Sequence, residues 1–224
     1  MLLRKSKKIF IYVFLFFVIA TLNNKNLKNF EIPKISEIIV SGLSEKENLE
    51  ISNNLEVLKK YDLFTLNNSR LNEMINAYNY IENFLIYKRY PSTLDIHLQK
   101  TRFIAHVKKN NKNFYIGSNK RLIEVNGRLQ NLPFIYGNLR IDEFFKLKKS
   151  INESNFKFSE IKNLFFFISG RWDIETQSGI LIKLPKSKIK DSLNLYIELM
   201  KKNDFKNIKM IDLRQNNQVV VNEQ

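Results

Sequence analysis

The chain has 224 residues, enough for one or two modest domains with a hydrophobic core. Its 37 basic and 22 acidic residues give a formal net charge of +15, which is typical of nucleic-acid binders, of proteins at anionic membranes and of Lys-rich solvated surfaces. Cysteine is absent, which excludes thiol catalysis, cysteine-ligated zinc and disulfides. Because the heavy use of Lys, Asn, Ile and Phe is typical of an AT-rich coding bias, the charge by itself does not identify a partner.

The chain starts with a basic cluster followed by an apolar run. Residues 9–22 carry no charge and contain Ile9, Phe14, Phe17 and Leu22. At 1.5 Å per residue this run covers roughly 21 Å, short of the roughly 30 Å hydrocarbon core. A cleaved signal peptide is therefore the alternative to a retained membrane helix.

Two features favour retention over cleavage. No small-x-small cleavage site follows Ala20, and Lys8 and Lys25 can lengthen the span by snorkelling. We predict a cytoplasmic tail over 1–8, a transmembrane helix over 9–24 and a linker over 25–34. The positive-inside rule then places the N-terminus in the cytoplasm and the bulk of the chain outside the inner membrane, as a single-pass type II protein. The residues that set this topology are Arg4, Lys5, Lys7 and Lys8.

Residues 35–103 show the order strand, helix, helix, strand, strand. A strand over 35–40 ends in a turn at Gly42, and helical spacing follows over 45–60, with Leu49, Ile51, Leu55 and Leu58 near one face. The apolar segment 63–66 precedes a second helix, which Asn68 or Ser69 can cap. Strict alternation then indicates a hairpin around Pro91. The second arm has a dry face of Leu94, Ile96 and Leu98 and a wet face of Asp95, His97 and Gln99.

Residues 104–224 predict a mixed β domain. Strands are indicated over 114–116 and 121–125, with an Asn126-Gly127 turn, and a helix over 144–155. The apolar segment 165–168 is a buried strand or a buried helix, because its periodicity does not decide. The domain continues with a hairpin over 170–185 turning at Ser178-Gly179, an amphipathic helix over 189–202 and a terminal hairpin formed by 208–214 and 218–221.

A series of segments resembles, in this order, the bacterial FtsQ/DivIB cell-division family and, over 35–103, a POTRA domain. The segments are Ile35–Gly42, Leu63–Leu66, Arg89–Ile96, Thr101–Ala105, Leu132–Gly137, Arg171–Pro185 and Ile211–Arg214. Lys100, Thr101 and Phe103 depart from the family's Glu-Arg-x-Pro-x-Ala element, so that only Arg102 and Ala105 match. The resemblance implies an α+β fold: one transmembrane helix, a POTRA domain over 35–103, and a β domain over 104–224 that ends in an edge strand.

No residue pattern supports an enzyme. The chain has no P-loop, Gly-rich dinucleotide turn, zinc-binding His pair or nucleophile elbow, and we expect no cofactor, metal or small-molecule substrate. His97 and His106 fit surface or hydrogen-bonded roles in strands. Glu124, Asp173 and Asp212 fit cross-strand pairing with Lys or Arg. Trp172 fits a core anchor better than an interface hot spot.

The terminal strand offers a route to function. An edge strand leaves backbone N–H and C=O groups for a partner strand to pair with, whereas the alternative is an edge that the polar tail protects. The resemblance implies docking of FtsB-like and FtsL-like coiled-coil proteins here, with FtsW-like proteins and septal peptidoglycan synthases as further partners at the septum. The implied contact residues are Arg171, Trp172, Arg214, Gln215, Gln218, Val219, Val220 and Val221.

Two other functional classes remain as alternatives. A POTRA-containing envelope assembly or secretion factor would have several POTRA repeats and a long run of barrel strands, and the sequence has one POTRA pattern and no such run. An anchored nucleic-acid or envelope-polymer binder would interleave basic and aromatic residues on one face, whereas Lys is scattered here; strongly salt-dependent binding to DNA would support that class.

Overall fold

A computed structural model of the chain describes residues 3–22, 31–125, 131–202, 208–215 and 218–223. Its fold is α+β, with a three-stranded sheet in the order β1-β3-β2 and a nine-stranded mixed sheet, as predicted. The chain forms two compact units: Met1–Val40 with Lys46–Asn67 and Ile86–Ile96, and Ser41–Glu45 with Asn68–Leu85 and His97–Gln224. The predicted POTRA and β-domain boundaries stay predictions.

The secondary structure follows the predicted order. The helices are α1 (Leu3–Leu22), α2 (Glu45–Leu55), α3 (Asn68–Asn76), α4 (Ile141–Asn152) and α5 (Ile189–Met200), with 3₁₀ turns at Glu56–Lys60 and Phe158–Glu160. The strands are β1 (Glu37–Ser41), β2 (Ile81–Arg89), β3 (Thr93–Lys100), β4 (Phe103–Lys109), β5 (Lys112–Gly117), β6 (Leu122–Glu124), β7 (Phe134–Tyr136), β8 (Ile161–Phe166), β9 (Trp172–Thr176), β10 (Leu181–Lys183), β11 (Ile208–Asp212) and β12 (Val220–Glu223). The order strand, helix, helix, strand, strand over 35–103 is thereby confirmed.

The N-terminal helix differs from the prediction of a transmembrane helix over 9–24. It begins at Leu3, and none of the described helices is both long enough and apolar enough to cross a membrane. The physical reason is that the basic cluster forms the first turns of α1, so that the uncharged part covers roughly 21 Å of the roughly 30 Å required. Ile9, Phe14 and Phe17 are exposed, and residues 23 and 24 lie outside the described residues.

The first unit contains a turn built around Asp62. Its carboxylate accepts hydrogen bonds from the backbone N–H of Phe64 at 2.9 Å and from the backbone N–H and hydroxyl of Thr65 at 2.8 and 2.6 Å. These bonds, led by that of the Thr65 hydroxyl, hold the pKa of Asp62 below its usual value. The turn buries Leu63 and Leu66 and leaves Phe64 exposed, so that the predicted apolar segment 63–66 is only partly buried.

Two predictions of side-chain burial in this unit were wrong. Leu49 is 64% exposed, whereas Ile51 and Leu55 are buried. Side chains two residues apart on a helix are rotated by about 200° about the helix axis, so that Leu49 and Ile51 lie on nearly opposite faces. Asp95 was predicted on the wet face of the hairpin and is buried instead, where it forms an ion pair with Arg89 of the neighbouring arm. The other positions of that arm follow the predicted alternation, with Leu94, Ile96 and Leu98 buried and His97 and Gln99 exposed.

The nine-stranded sheet belongs to the second unit and has the order β12-β11-β10-β9-β8-β7-β4-β5-β6. β7 and β8 are parallel and joined through α4, and β10 and β11 are parallel and joined through α5. Such crossovers are right-handed, and both step along the sheet in the same direction, so that both helices cover the same face.

An apolar row crosses the sheet beneath these two helices. The register aligns Ile135 with Leu164, Ile174, Ile182, Ile211 and Val221, one from each strand from β7 to β12. Phe144 and Leu147 of α4 and Leu193 of α5 are buried in the same core. The row therefore decides which side chains of β12 face the interior.

The ambiguous segment 165–168 is the end of a strand. β8 ends at Phe166, and the next two residues lie in the turn that leads to β9. The helix predicted over 144–155 begins three residues earlier, at Ile141, and ends at Asn152. The Asn126-Gly127 turn lies outside the described residues.

We expect Gly137→Ala to destabilise the fold more than Gly179→Ala. Both glycines have positive φ, +102° and +88°, but a Cβ at Gly137 would lie 2.0 Å from the Phe166 carbonyl oxygen, whereas a Cβ at Gly179 would meet no atom within 4 Å. Conformational strain alone should cost Gly179→Ala about 1–2 kcal/mol. The additional backbone displacement should bring Gly137→Ala to about 3 kcal/mol or more.

Chemical denaturation of the two variants and the parent chain measures both losses of unfolding free energy. Equal losses would contradict the close approach of β7 and β8 at Gly137.

Candidate partner-binding edge

β12 is the edge strand of the nine-stranded sheet. Its one neighbour among the described strands is β11, with which it pairs antiparallel through Ile211 opposite Val221 and Asp212 opposite Val220. The prediction that the terminal strand lies at the edge of its sheet is confirmed, although the strand spans Val220–Glu223 and not the predicted 218–221. An edge strand leaves the backbone groups on its outer side available for pairing with another chain.

The side chains of this strand region alternate between the two faces of the sheet. Val219 and Val221 pack against the core below the helices, whereas Val220 is 50% exposed on the opposite face and Gln218 is exposed. The apolar row of the core thus ends at Val221, which is only half-buried. A strand added beside β12 would extend this row if it presented an apolar residue at that register.

A groove of about 580 Å³ opens near the terminal hairpin. The hairpin contributes Leu213, Arg214 and Gln215, and the loop between β10 and α5 contributes Pro185 to Lys188. Among the described lining residues, four are basic and one is acidic: Arg171, Lys186, Lys188 and Arg214, with Asp191. The groove therefore favours an anionic group over a cationic one.

Two carboxylates hold the arginines of this groove. Arg214 donates to Asp212, with an Nε to Oδ1 distance of 2.7 Å, and Arg171 Nε lies 3.2 Å from Asp173 Oδ1. The Arg214 guanidinium holds the pKa of Asp212 below its usual range. Asp173 is buried, and this burial raises its pKa although Arg171 opposes the shift.

The Arg171 guanidinium also lies 4.2 Å from the ring centroid of Phe167, a cation–π contact. Each arginine is thus oriented before any ligand arrives. This orientation reduces the side-chain conformational entropy that is lost when a partner's carboxylate binds.

The structure brings together most of the residues that the sequence singled out. Arg171, Arg214 and Gln215 line the groove, and residues 218–221 form or precede β12. Trp172 does not reach this surface, because it is 2% exposed and its ring packs against Phe166 with centroids 4.7 Å apart. The core role favoured for Trp172 matches this position.

Sequence reasoning missed the loop between β10 and α5. Lys186 and Lys188 are exposed on it, but two lysines in a Lys-rich chain give no signal. The only available hint was their place after Pro185, immediately before a predicted amphipathic helix. Only the crossover that returns the chain to β11 brings this loop beside Arg214.

The remaining titratable residues occupy ordinary structural positions. Lys112 Nζ lies 2.7 Å from Glu124 Oε1 across β5 and β6, as predicted. Asp173 and Asp212 both lie opposite Lys183 of β10, as the predicted cross-strand pairing requires, and each also bonds an arginine two residues away along the chain. No group of three or more potential metal-ligating side chains occurs in the described ranges.

The two histidines lie in strands of different sheets, His97 in β3 and His106 in β4. His97 is exposed, and its Nδ1 lies 2.7 Å from Ser41 Oγ. His106 packs edge-to-face on Phe134, and burial lowers its pKa.

Comparisons with known proteins identify relatives of this chain. Residues 105–214 match the family described as "Cell division protein FtsQ/DivIB, C-terminal". The "Cell division protein FtsQ" of Rickettsia bellii is 26% identical over 200 residues, covering 84% of this chain and 72% of that protein. The protein of the same name from Rickettsia typhi is 24% identical over 204 residues, with the same coverage of both chains.

A solved structure gives a weaker match. It is the major extracytoplasmic domain of the trans isomer of the bacterial cell division protein DivIB from Geobacillus stearothermophilus, at 15% identity and a TM-score of 0.35, covering 48% of this chain and 98% of that chain. The family predicted from the sequence motifs is confirmed over the C-terminal part of the chain: residues 105–214 match the C-terminal domain of the FtsQ/DivIB family of non-enzymatic cell division proteins.

Proposed function

We propose that this protein is a scaffold that recruits and links other division proteins by accepting a partner strand along β12. The position of β12 at the edge of the nine-stranded sheet is the observation that carries this proposal. FtsB-like and FtsL-like coiled-coil proteins are the proposed partners, and FtsW-like proteins and septal peptidoglycan synthases are further candidates. Scaffolding of this kind makes and breaks no covalent bond.

Strand addition accounts for both affinity and selectivity. Main-chain hydrogen bonds to β12 would contribute affinity for any extended segment. An apolar side chain beside Val221 would extend the row that ends there, and a polar one at the same position would be desolvated without a partner. A matching partner strand should therefore alternate in polarity with its apolar residues toward the helix-covered face.

The groove adds an electrostatic requirement. Arg171 and Arg214 are each held by a carboxylate, and Lys186 and Lys188 extend the basic lining. An acidic residue next to the partner's strand would find preorganised donors there. Complementary charge of this kind speeds association and rejects basic partners.

The proposed place of action is the membrane at the division site, which family membership implies. The exposed apolar residues of α1 behind its basic first turns are compatible with contact between this helix and lipid. The orientation predicted from the basic cluster, with a cytoplasmic N-terminus and a periplasmic body, belongs to the same proposal.

We expect removal of residues 218–224 to abolish capture of FtsB-like and FtsL-like proteins in a pull-down with the full chain. The deletion removes the strand on which the partner would pair. Equal recovery with the parent chain and the deletion would refute the assignment of the site.

A pair of proline variants tests the outward-facing backbone donors of β12 independently of those that pair with β11. Adjacent residues of an edge strand direct their N–H groups alternately inward and outward, so that one of Val220→Pro and Val221→Pro spares the pairing with β11. The variant whose thermal unfolding matches the parent chain should still lose partner binding, because it lacks one outward donor. Retained affinity in that variant would contradict strand addition.

We expect the double variant Lys186→Glu/Lys188→Glu to weaken binding of the same partners by about 3- to 30-fold, mostly through a slower association rate. Its control is Lys108→Glu/Lys109→Glu, which makes the same charge change on β4, a strand that five other strands separate from β12 in the sheet. Surface plasmon resonance at two salt concentrations measures both variants. Equal losses in the two variants would assign the effect to net charge and not to the groove.

A further inference from the structure

The hairpin that joins β8 to β9 carries an unusual apolar tip at residues 167–170. Ile168 is fully exposed at 101%, and the neighbouring Phe167 is 38% exposed. Single exposed apolar residues are common on protein surfaces. A pair of large apolar side chains at the end of a hairpin, one of them without any shielding, is a feature of interaction sites.

Two backbone hydrogen bonds and one glycine define the turn at this tip. The backbone N–H of Phe167 donates to the Arg171 carbonyl at 3.0 Å, and the N–H of Gly170 donates to the Phe167 carbonyl at 2.9 Å. Gly170 has a φ of +81°, which favours glycine at this point. The turn thus presents Ile168 outward from a closed ring of backbone hydrogen bonds.

The tip is continuous with the basic groove. Ser169 and Arg171 line the groove, and the Arg171 guanidinium stacks on Phe167. One segment of five residues therefore supplies an apolar projection and a cation that faces the concave surface beside it. A ligand that fills the groove near Arg171 would reach the tip.

We propose that Ile168 and Phe167 anchor the segment of the partner that flanks its β12-paired strand. The occupant is a protein segment that places a carboxylate toward Lys186 and Lys188 and an apolar side chain on Ile168. This inference rests on the proposed function and extends it from a backbone edge to a two-part site. The tip supplies selectivity that strand addition alone lacks, since backbone pairing accepts many sequences.

Shape favours a protein segment over a lipid surface as the occupant. The groove is concave, and a flat headgroup layer would leave it unfilled, whereas a side chain can enter it.

Photocrosslinking in cells tests the proposal on the full chain. p-Benzoylphenylalanine is placed at position 168, at position 220 on β12, and at position 49, an exposed apolar site on α2 that serves as control. We expect positions 168 and 220 to crosslink the same protein and position 49 not to crosslink it. Mass spectrometry of the adducts identifies the crosslinked segment, which should contain acidic and apolar residues next to the strand.

The remaining outcomes separate the two proposals. Adducts at 220 and none at 168 would overturn the role of the tip and leave strand addition standing. A phospholipid adduct at 168 would make the tip a membrane contact and overturn the inference. Absence of adducts at both positions would overturn the tip and the proposed function together.

The affinity of the chain for the purified partner, once crosslinking has identified that partner, gives an independent readout. We expect Ile168→Ser to lower its affinity at least about tenfold, the loss that corresponds to leaving a large aliphatic side chain out of an interface. Ile168→Leu should retain most of the affinity, and Leu49→Ser should retain all of it. Because residue 168 is fully exposed, the three variants should melt at the same temperature, and an unchanged affinity in Ile168→Ser would overturn the anchor.

Discussion

The burial of one apolar row beneath two crossover helices is the constraint on which the second unit depends. The row runs from Ile135 to Val221 across six strands, and α4 and α5 cover it from the same side. Hydrophobic burial fixes the face of each strand, because a shift of register by one residue would expose the whole set. The same constraint sets the orientation of β12, whose inner side chains complete the row at the edge of the sheet.

The position of the groove follows from the direction of the strands that carry this row. Strands β7, β8, β10 and β11 run in one direction, so that their carboxyl ends and the loops after them gather at one end of the sheet. The loop before α5, the residues after β11 and the tip after β8 meet there. The groove is thus a consequence of topology, in the way that crevices form at the carboxyl ends of strands in open α/β sheets.

Electrostatics give this end of the sheet its chemical character. Asp173 and Asp212 form ion pairs with the arginines of the groove and orient them, while the lysines of the neighbouring loop stay exposed. Burial raises the pKa of Asp173, whereas the Arg214 hydrogen bond lowers that of Asp212. The two carboxylates therefore serve a similar positioning purpose in different environments.

The sequence by itself determined the order of the elements, the hairpin around Pro91, the terminal strand pair and the family, because local periodicity and short motifs encode these features. Tertiary structure decided the burial of Asp95, which depends on Arg89 across the hairpin, and the exposure of Ile168, which depends on where β8 ends. It also decided the convergence of Lys186 and Lys188 with Arg214. Residues that are far apart in the chain become neighbours only through strand order and crossover handedness, and no local pattern of polarity records either of these.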